Sequence, residues 1–277
     1  MKAFSLLRRV GRHAAWRMRR LVARTADKFR RGERTVIATP PAGLRFGNWL
    51  YLWLDAHRRT LDGHPTFVLE VSGMAPWLEA FPRLRAYTVA ADSVKFHDHR
   101  EWGEFSWNQR YGQDFVRADL VAFINDVLVA EIQPDDSSAV VVNVRRGDYY
   151  SNPGLKERYG FDQIGYLREA LTRVGDVDVV TIVSDDVPWC RMHVAPLLPS
   201  EAVVKFAAQD PVGDFLTVAR SRRIIGMNST FTYWGAYIAT VLHPDACIVM
   251  PQFHARMAGS WDAHQLDPDW IILDGFA

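Results

Sequence analysis

The sequence predicts an α/β fold with mostly parallel, doubly wound sheets, and three observations carry that expectation. Short runs rich in valine and isoleucine alternate with amphipathic helical stretches over most of the 277 residues, the pattern of strand–helix–strand units. Three of those runs end in charged or polar clusters, at "NVRRGDY" (143–149), "VSDD" (183–186) and "MNST" (227–230). Ligands of doubly wound sheets sit beyond the carboxyl ends of the strands, so such clusters are candidate site residues. The polar, proline-containing stretch "QPDDSS" (133–138) divides the pattern in two and predicts an interdomain linker.

Residues 1–34 precede the pattern as a basic arm. They hold twelve Lys or Arg against Asp27 and Glu33, a net charge of +10 in a chain whose total is +1. Phe4, Leu7, Ala14, Met18, Leu21 and Phe29 recur at helical steps among the arginines. That is a basic amphipathic helix, suited to peripheral contact with an anionic membrane face; a solvated arm without a partner is the alternative. No unbroken apolar core marks a secretory signal, and no apolar run approaches the roughly 20 residues of a membrane span. A cytoplasmic protein, peripheral on the inner membrane face, is expected. No RNP, zinc-finger or helix-turn-helix signature supports nucleic-acid binding. Two cysteines, Cys190 and Cys247, give neither a disulfide framework nor a zinc spacing.

The elements follow in order. "RTVIATP" (34–40) predicts a strand, "GNWLYLWLDAHRRT" (47–60) a helix, "TFVLEV" (66–71) a strand and "APWLEAFPRL" (75–84) a proline-interrupted helix. A tryptophan-rich irregular region (97–112) precedes a long apolar helix over about 113–132. Beyond the linker, strand "AVVVNV" (139–144), a long loop and helix 162–174 lead to "DVVTIVSDD", a strand, and a short helix near "PWCRMHV". "AVVKF" (202–206), helix 211–221, strand "RRIIG" (222–226), helix 229–242 and strand "ACIVM" (246–250) complete the series.

Arg145, Arg146 and Asp148 end the first strand of the second half, where a guanidinium would meet an anion with paired hydrogen bonds. Asn228, Ser229 and Thr230 open a helix whose free amides and dipole suit a phosphate, simple N-capping being the plainer reading. Asp185 follows a strand as a carboxylate able to accept the paired N–H donors of a guanine edge, or to cap a turn. Gly43 and Gly47 follow the first strand and permit close backbone approach, without the spacing of a dinucleotide fingerprint. "DVD" (176–178) lies between a helix and a strand start, and a turn is the expectation there.

In this order the motifs resemble family 11 of the glycosyltransferases, the α-1,2-fucosyltransferases, within the wider group sharing an H-x-R-R-G-D-like motif. "NVRRGDY" is similar to that motif, "SDDVPW" (184–189) to the family's SDD…W element, and "NSTFTYWGA" (228–236) to its NSSFSWWAA element. "GLRFGNWLY" (43–51) matches GRxGNQxxQ more loosely, so the resemblance covers about residues 38–253. It implies a GT-B-like fold, two Rossmann-like α/β halves facing across a cleft. Residues 35–136 would form the acceptor side and 137–277 the nucleotide-sugar side.

The resemblance also implies an inverting transfer of fucose from GDP-fucose to a glycan or lipid-linked oligosaccharide, without metal or other cofactor. Arg145 would bind the β-phosphate, with Asp148 in the same motif, and Asn48 would face the reacting sugar beside Gly47. Asn143, Arg146, Asp185, Asn228, Ser229, Thr230 and Phe231 would line the nucleotide. Trp102 and Trp107 are candidates for stacking on acceptor sugars, and Asp55, His97, Asp98, His99 and Glu101 for the general base. Two residues depart from the pattern: Asn143 stands for the family's histidine and Trp49 for its glutamine. They motivate an alternative, another nucleotide sugar on the same scaffold. A binder of nucleotide or glycan without turnover is the rival from a different class.

Overall fold

The computed structural model describes residues 29–39, 44–103, 107–207, 210–257 and 260–277. The chain divides into two units, one closing at Gln109 and one running Arg110–Ala277. Most of the basic arm, and Gly43, therefore lie outside the described residues. Among those described, no helix is long and apolar enough to cross a membrane.

The first unit is built on strands β1 (Thr35–Ala38), β2 (Thr66–Leu69), β3 (Thr88–Val89) and β4 (His99–Trp102), with helices α1 (Phe46–Leu61) and α2 (Ala75–Ala80). Its sheet has the order β3-β2-β1-β4 and every pair is parallel. Helix α1 is buried at eleven positions, Trp49 through His57 without a break, as expected of a helix enclosed on most sides. Phe46 stacks on Trp77 with ring centroids 3.5 Å apart. Trp49 is a core residue, 5% exposed, and a Cβ on Gly73 would stand 2.8 Å from its ring. The departure from glutamine at this position thus fills the interior of the unit. Strand β4 lies within the stretch that the sequence presents as irregular. Its residues, His-Arg-Glu-Trp, carry no apolar alternation because all four are only half buried.

Asp98, buried just before β4, holds this unit together. Arg34 donates to both of its carboxylate oxygens at 2.8 Å, and the Lys95 amide donates at 2.7 Å. Bonding to Arg34 pulls its pKa below the ordinary aspartate value. A depressed folded-state pKa adds stability above the unfolded value and loses it as pH falls through the folded one. Asp98→Asn is therefore expected to lower stability near pH 7 by about 2 kcal/mol. In urea titrations at stepped pH, the gap from wild type should narrow as pH falls below about 4.

The second unit carries α3 (Arg117–Phe123), β5 (Asp135–Val144), α4 (Gly147–Ser151), α5 (Pro153–Tyr159), α6 (Gln163–Arg173), β6 (Val179–Ser184) and α7 (Val187–His193). There follow β7 (Val203–Ala207), α8 (Pro211–Ala219), β8 (Ser221–Ile225), α9 (Thr230–Leu242) and β9 (Cys247–Pro251). A hairpin of β10 (Ala255–Met257) and β11 (Ser260–Asp262), then β12 (Ile271–Leu273), end the chain. The six-stranded sheet has the order β12-β9-β8-β5-β6-β7, all pairs parallel. Starting at β5, the chain steps outward to β6 and β7, then returns to β8 on the other side. The strand order reverses between β5 and β8, and a crevice opens beyond the carboxyl ends of such a pair. Val140 to Val144 are all buried, as a central strand covered on both faces requires.

Four expectations are corrected here. The unit boundary falls at 109/110, not at 136/137. The polar stretch at 133–138 is no linker: from Asp135 onward it forms the exposed beginning of β5, with Asp135 paired to Ser221. Polar residues are tolerated there because that end of the strand projects toward solvent. The helix expected over 113–132 is helical only from Arg117 and changes pitch, passing through a π-helical turn (Ile124–Leu128) into a 3₁₀ turn (Val129–Glu131). The long loop after β5 is instead two short helices, α4 and α5.

Candidate functional site

Beyond β5 the chain turns at Arg145 and Arg146, and Asp185 reaches this turn from the end of the adjacent strand β6. One carboxylate oxygen of Asp185 accepts the amides of Arg146 at 2.8 Å and Gly147 at 3.0 Å. The other lies 2.6 Å from Arg145 Nη1. Asp148, in the first turn of α4, meets Arg145 Nη2 at 2.6 Å. The Arg145 side chain is 33% exposed, so its fork is oriented by two carboxylates and still open to solvent. Below it lies Tyr149, whose ring centroid is 5.3 Å from the guanidinium carbon and which stacks on Tyr159 at 4.3 Å. Burial raises the Tyr149 pKa and keeps its hydroxyl neutral.

Arg146 has a different task. Its guanidinium carbon lies 3.8 Å from the Trp189 ring centroid and 4.0 Å from that of Tyr150. Nη1 donates to Gln163 Oε1 at 2.8 Å and Nε to Asp186 Oδ2 at 3.3 Å. With its side chain 14% exposed, Arg146 is the pin under the turn. Gln163, 3% exposed, also donates from Nε2 to the Arg145 carbonyl at 3.0 Å. Gln163 was not among the residues singled out from sequence, and Trp189 entered only as the tryptophan of the SDD…W element. Gln163 opens a helix of ordinary appearance, and only the fold brings it under a turn eighteen residues earlier.

On the other side of β5, strand β8 ends and α9 begins. Ser229 caps this helix, its Oγ accepting the Phe231 amide at 3.3 Å, one of the amides a helix start leaves free. No acidic residue stands in the first turn of α9, so no carboxylate of that turn offsets its positive dipole end. Thr230 and Phe231 are partly exposed, and Phe231 packs edge-on against Phe215 at 5.3 Å. Asn228 is fully buried and its Nδ2 donates to the carbonyls of His254 at 2.8 Å and Tyr159 at 2.9 Å. It ties the segment after β9 and the end of α5 to the β8 loop.

Asn143, 6% exposed, donates from Nδ2 to the Val183 carbonyl at 3.1 Å and accepts the Thr232 hydroxyl. Its amide thus joins β5 to β6 and to α9, beneath the three motifs. Arg145, Arg146, Asp148, Asp185, Asn228, Ser229, Thr230, Phe231 and Asn143 therefore all stand at the carboxyl edge of adjacent strands. A cavity of about 600 Å³ also opens in this unit, among Tyr150, Lys156, Phe161 and Arg256. None of the nine motif residues lines it.

In the first unit, Gly47 and Asn48 occupy the first turn of α1, which follows the carboxyl end of β1. Asn48 Oδ1 accepts from Gln109 Nε2 at 3.0 Å. The general-base candidates fare differently. His97, Asp98 and His99 sit at the amino end of β4, where His99 pairs with Thr35 at the start of β1, the opposite edge of the sheet from Asn48. Glu101 is locked to Arg59 by two bonds of 2.8 Å. Asp55, 4% exposed, lies 3.2 Å from Arg58 and 3.5 Å from Arg59, and Trp107 Nε1 donates to it at 3.4 Å. The oxygens of both carboxylates are thus taken up by neighbouring side chains. "DVD" lies in the irregular connection before β6, with a bend at Asp178. Among the described residues, no three His, Cys, Asp or Glu gather in a metal-binding cluster.

Comparison with known proteins finds glycosyltransferases among the relatives of this chain. The chain is 26% identical over 162 residues to the O-antigen biosynthesis glycosyltransferase WbnK of Escherichia coli, covering 57% of this chain and 52% of that one. It is 33% identical over 110 residues to an E. coli alpha-1,2-colitosyltransferase, 37% of each chain. It is 33% identical over 134 residues to mouse galactoside alpha-(1,2)-fucosyltransferase 2, 46% of this chain and 37% of that one. The matched region is thus about half or less of the length of each relative. The family model of glycosyl transferase family 11 matches residues 85–270, which takes in β5, β6, β8 and all three of their polar ends. With more than half its length matched and the motifs assembled at one sheet edge, the chain belongs to glycosyl transferase family 11.

Proposed function

We propose that this chain is an inverting, metal-independent glycosyltransferase that moves fucose from GDP-fucose to a hydroxyl of a glycan or glycolipid, in α-1,2 linkage. The observation that carries it is that Arg145 follows β5 and the amino end of α9 follows β8, the two neighbouring strands between which the strand order reverses. A diphosphate in that crevice would find a guanidinium on one side and helix amides on the other. As the bond from sugar to phosphate breaks, negative charge grows on the leaving diphosphate. Preorganised donors there stabilise the transition state more than the ground state. Ser229, Thr230 and Phe231 supply the helix start, and Asn143 and Asn228 brace the loops from below. Gly47 and Asn48 are read, from the family resemblance, as contacts to the transferred sugar. The relatives named colitosyl- and fucosyltransferases support a donor of the deoxyhexose type.

Residues 1–34 are read as a peripheral contact with an anionic membrane on the cytoplasmic side, which would bring the enzyme to lipid-linked acceptors. The choice of nucleotide is open to direct test. In calorimetry GDP is expected to bind at least about tenfold more tightly than UDP or ADP, a margin of about 1.4 kcal/mol. Equal affinities would sink the guanine assignment and favour another nucleotide sugar. Slow hydrolysis of GDP-fucose to fucose and GDP separates an enzyme from a binder without turnover.

A further inference from the structure

We infer that Asp185 is a positioning residue: it holds Arg145 in line with the leaving phosphate and does not read the base. This rests on the donor site proposed above. A carboxylate has about four lone-pair positions. Three are used by the turn after β5, for the Arg146 amide, the Gly147 amide and Arg145 Nη1. Too little acceptor capacity is left for the paired N–H donors of a guanine edge. One side chain from β6 thus fixes both the backbone and the guanidinium of a turn on β5.

Gly147 supplies an independent observation. A Cβ there would stand 2.4 Å from Asp185 Oδ2 and 3.0 Å from its Cγ. Any other residue would push the carboxylate off the turn, so the glycine of "RRGD" makes room for the first aspartate of "SDD". The two motifs are halves of one device. Gln163 completes it from beneath by donating to the Arg145 carbonyl, and Asp148 steadies the outer edge of the fork.

Asp185→Asn keeps an oxygen for the two amides but can turn an N–H toward the guanidinium. In the full chain, kcat for GDP-fucose hydrolysis is expected to fall about tenfold or more, with KM changing by less than about threefold. The preference for GDP over inosine diphosphate, which lacks only the 2-amino group of the base, should stay within about twofold of wild type. Gly147→Ala, with Asp185 intact, should reproduce the loss of kcat. Placed in an Arg145→Lys background, Asp185→Asn should add less than about threefold, because both changes disable one unit. Unchanged kcat overturns the inference, and so does a lost GDP preference with kcat preserved. If Asp185→Asn fails to fold by circular dichroism, Gly147→Ala carries the same decision. A wild-type chain that neither binds GDP nor hydrolyses GDP-fucose removes the donor-site reading itself, a result distinct from all of these.

Discussion

Arg145→Lys is expected to lower turnover of GDP-fucose at least about tenfold while the fold persists, because a point charge does not replace a bidentate fork. The side chain is one-third exposed and bonded only to Asp148 and Asp185 among the described groups. Its removal from the pairs therefore uncovers no buried charge, and exposed pairs contribute little stability. A lysine ammonium would reach one of the two carboxylates or the phosphate, but would not span them in a fixed plane. Two measurements decide it: kcat for GDP-fucose hydrolysis, and the thermal midpoint. A large fall in kcat with a midpoint close to wild type is the expected pair of results. Near-wild-type turnover would take Arg145 out of the phosphate role, and with it the observation on which the donor site rests.

Much of the second unit is legible in the sequence because parallel strands covered on both faces leave unambiguous apolar runs. Val140–Val144 and Val179–Val183 announce themselves, and so do the polar residues that interrupt them at Arg145 and Asp185. Strand β4 does not, since His99–Trp102 is half buried throughout and carries neither a continuous run nor an alternation. The unit boundary was equally hidden: a polar stretch looks the same whether it links domains or begins a strand that projects from the sheet. The site residues were legible as types and not as roles. Asn143, at the family's histidine position, looks like a nucleotide contact until Val183 and Thr232 are seen to occupy its amide. Trp49 looks like a wall residue until Gly73 is found packed against it. Gln163 carries no signal at all, since its importance lies wholly in what the turn above it requires.

The pair Arg145–Arg146 shows the limit most plainly, because two adjacent identical residues have different surroundings, one side chain 33% exposed and the other 14%. Arg146→Ala is expected to destabilise the second unit by roughly 2–4 kcal/mol, read as a shift in the urea midpoint at constant slope. Three losses combine. The guanidinium is sandwiched between Trp189 and Tyr150 at 3.8 and 4.0 Å, and desolvated contacts of this kind contribute about 2 kcal/mol. Gln163 Oε1, in a side chain 3% exposed, loses its donor, and leaving a buried acceptor unsatisfied costs about 1–3 kcal/mol. Asp186 keeps its cap on the Trp189 amide at 3.2 Å but loses its cation, while the gap between the two rings has no side chain to fill it. Arg146→Lys should recover part of the stability, since its stem still packs between the rings, but not the planar stack or the bond to Gln163 and Asp186 together. The two arginines are then separated by their signatures: substitution at 145 is read in turnover, and substitution at 146 in the unfolding midpoint. If Arg146→Ala kept the wild-type midpoint and instead weakened GDP binding, Arg146 would be the ligand contact and the assignment of the pair would have to be reversed.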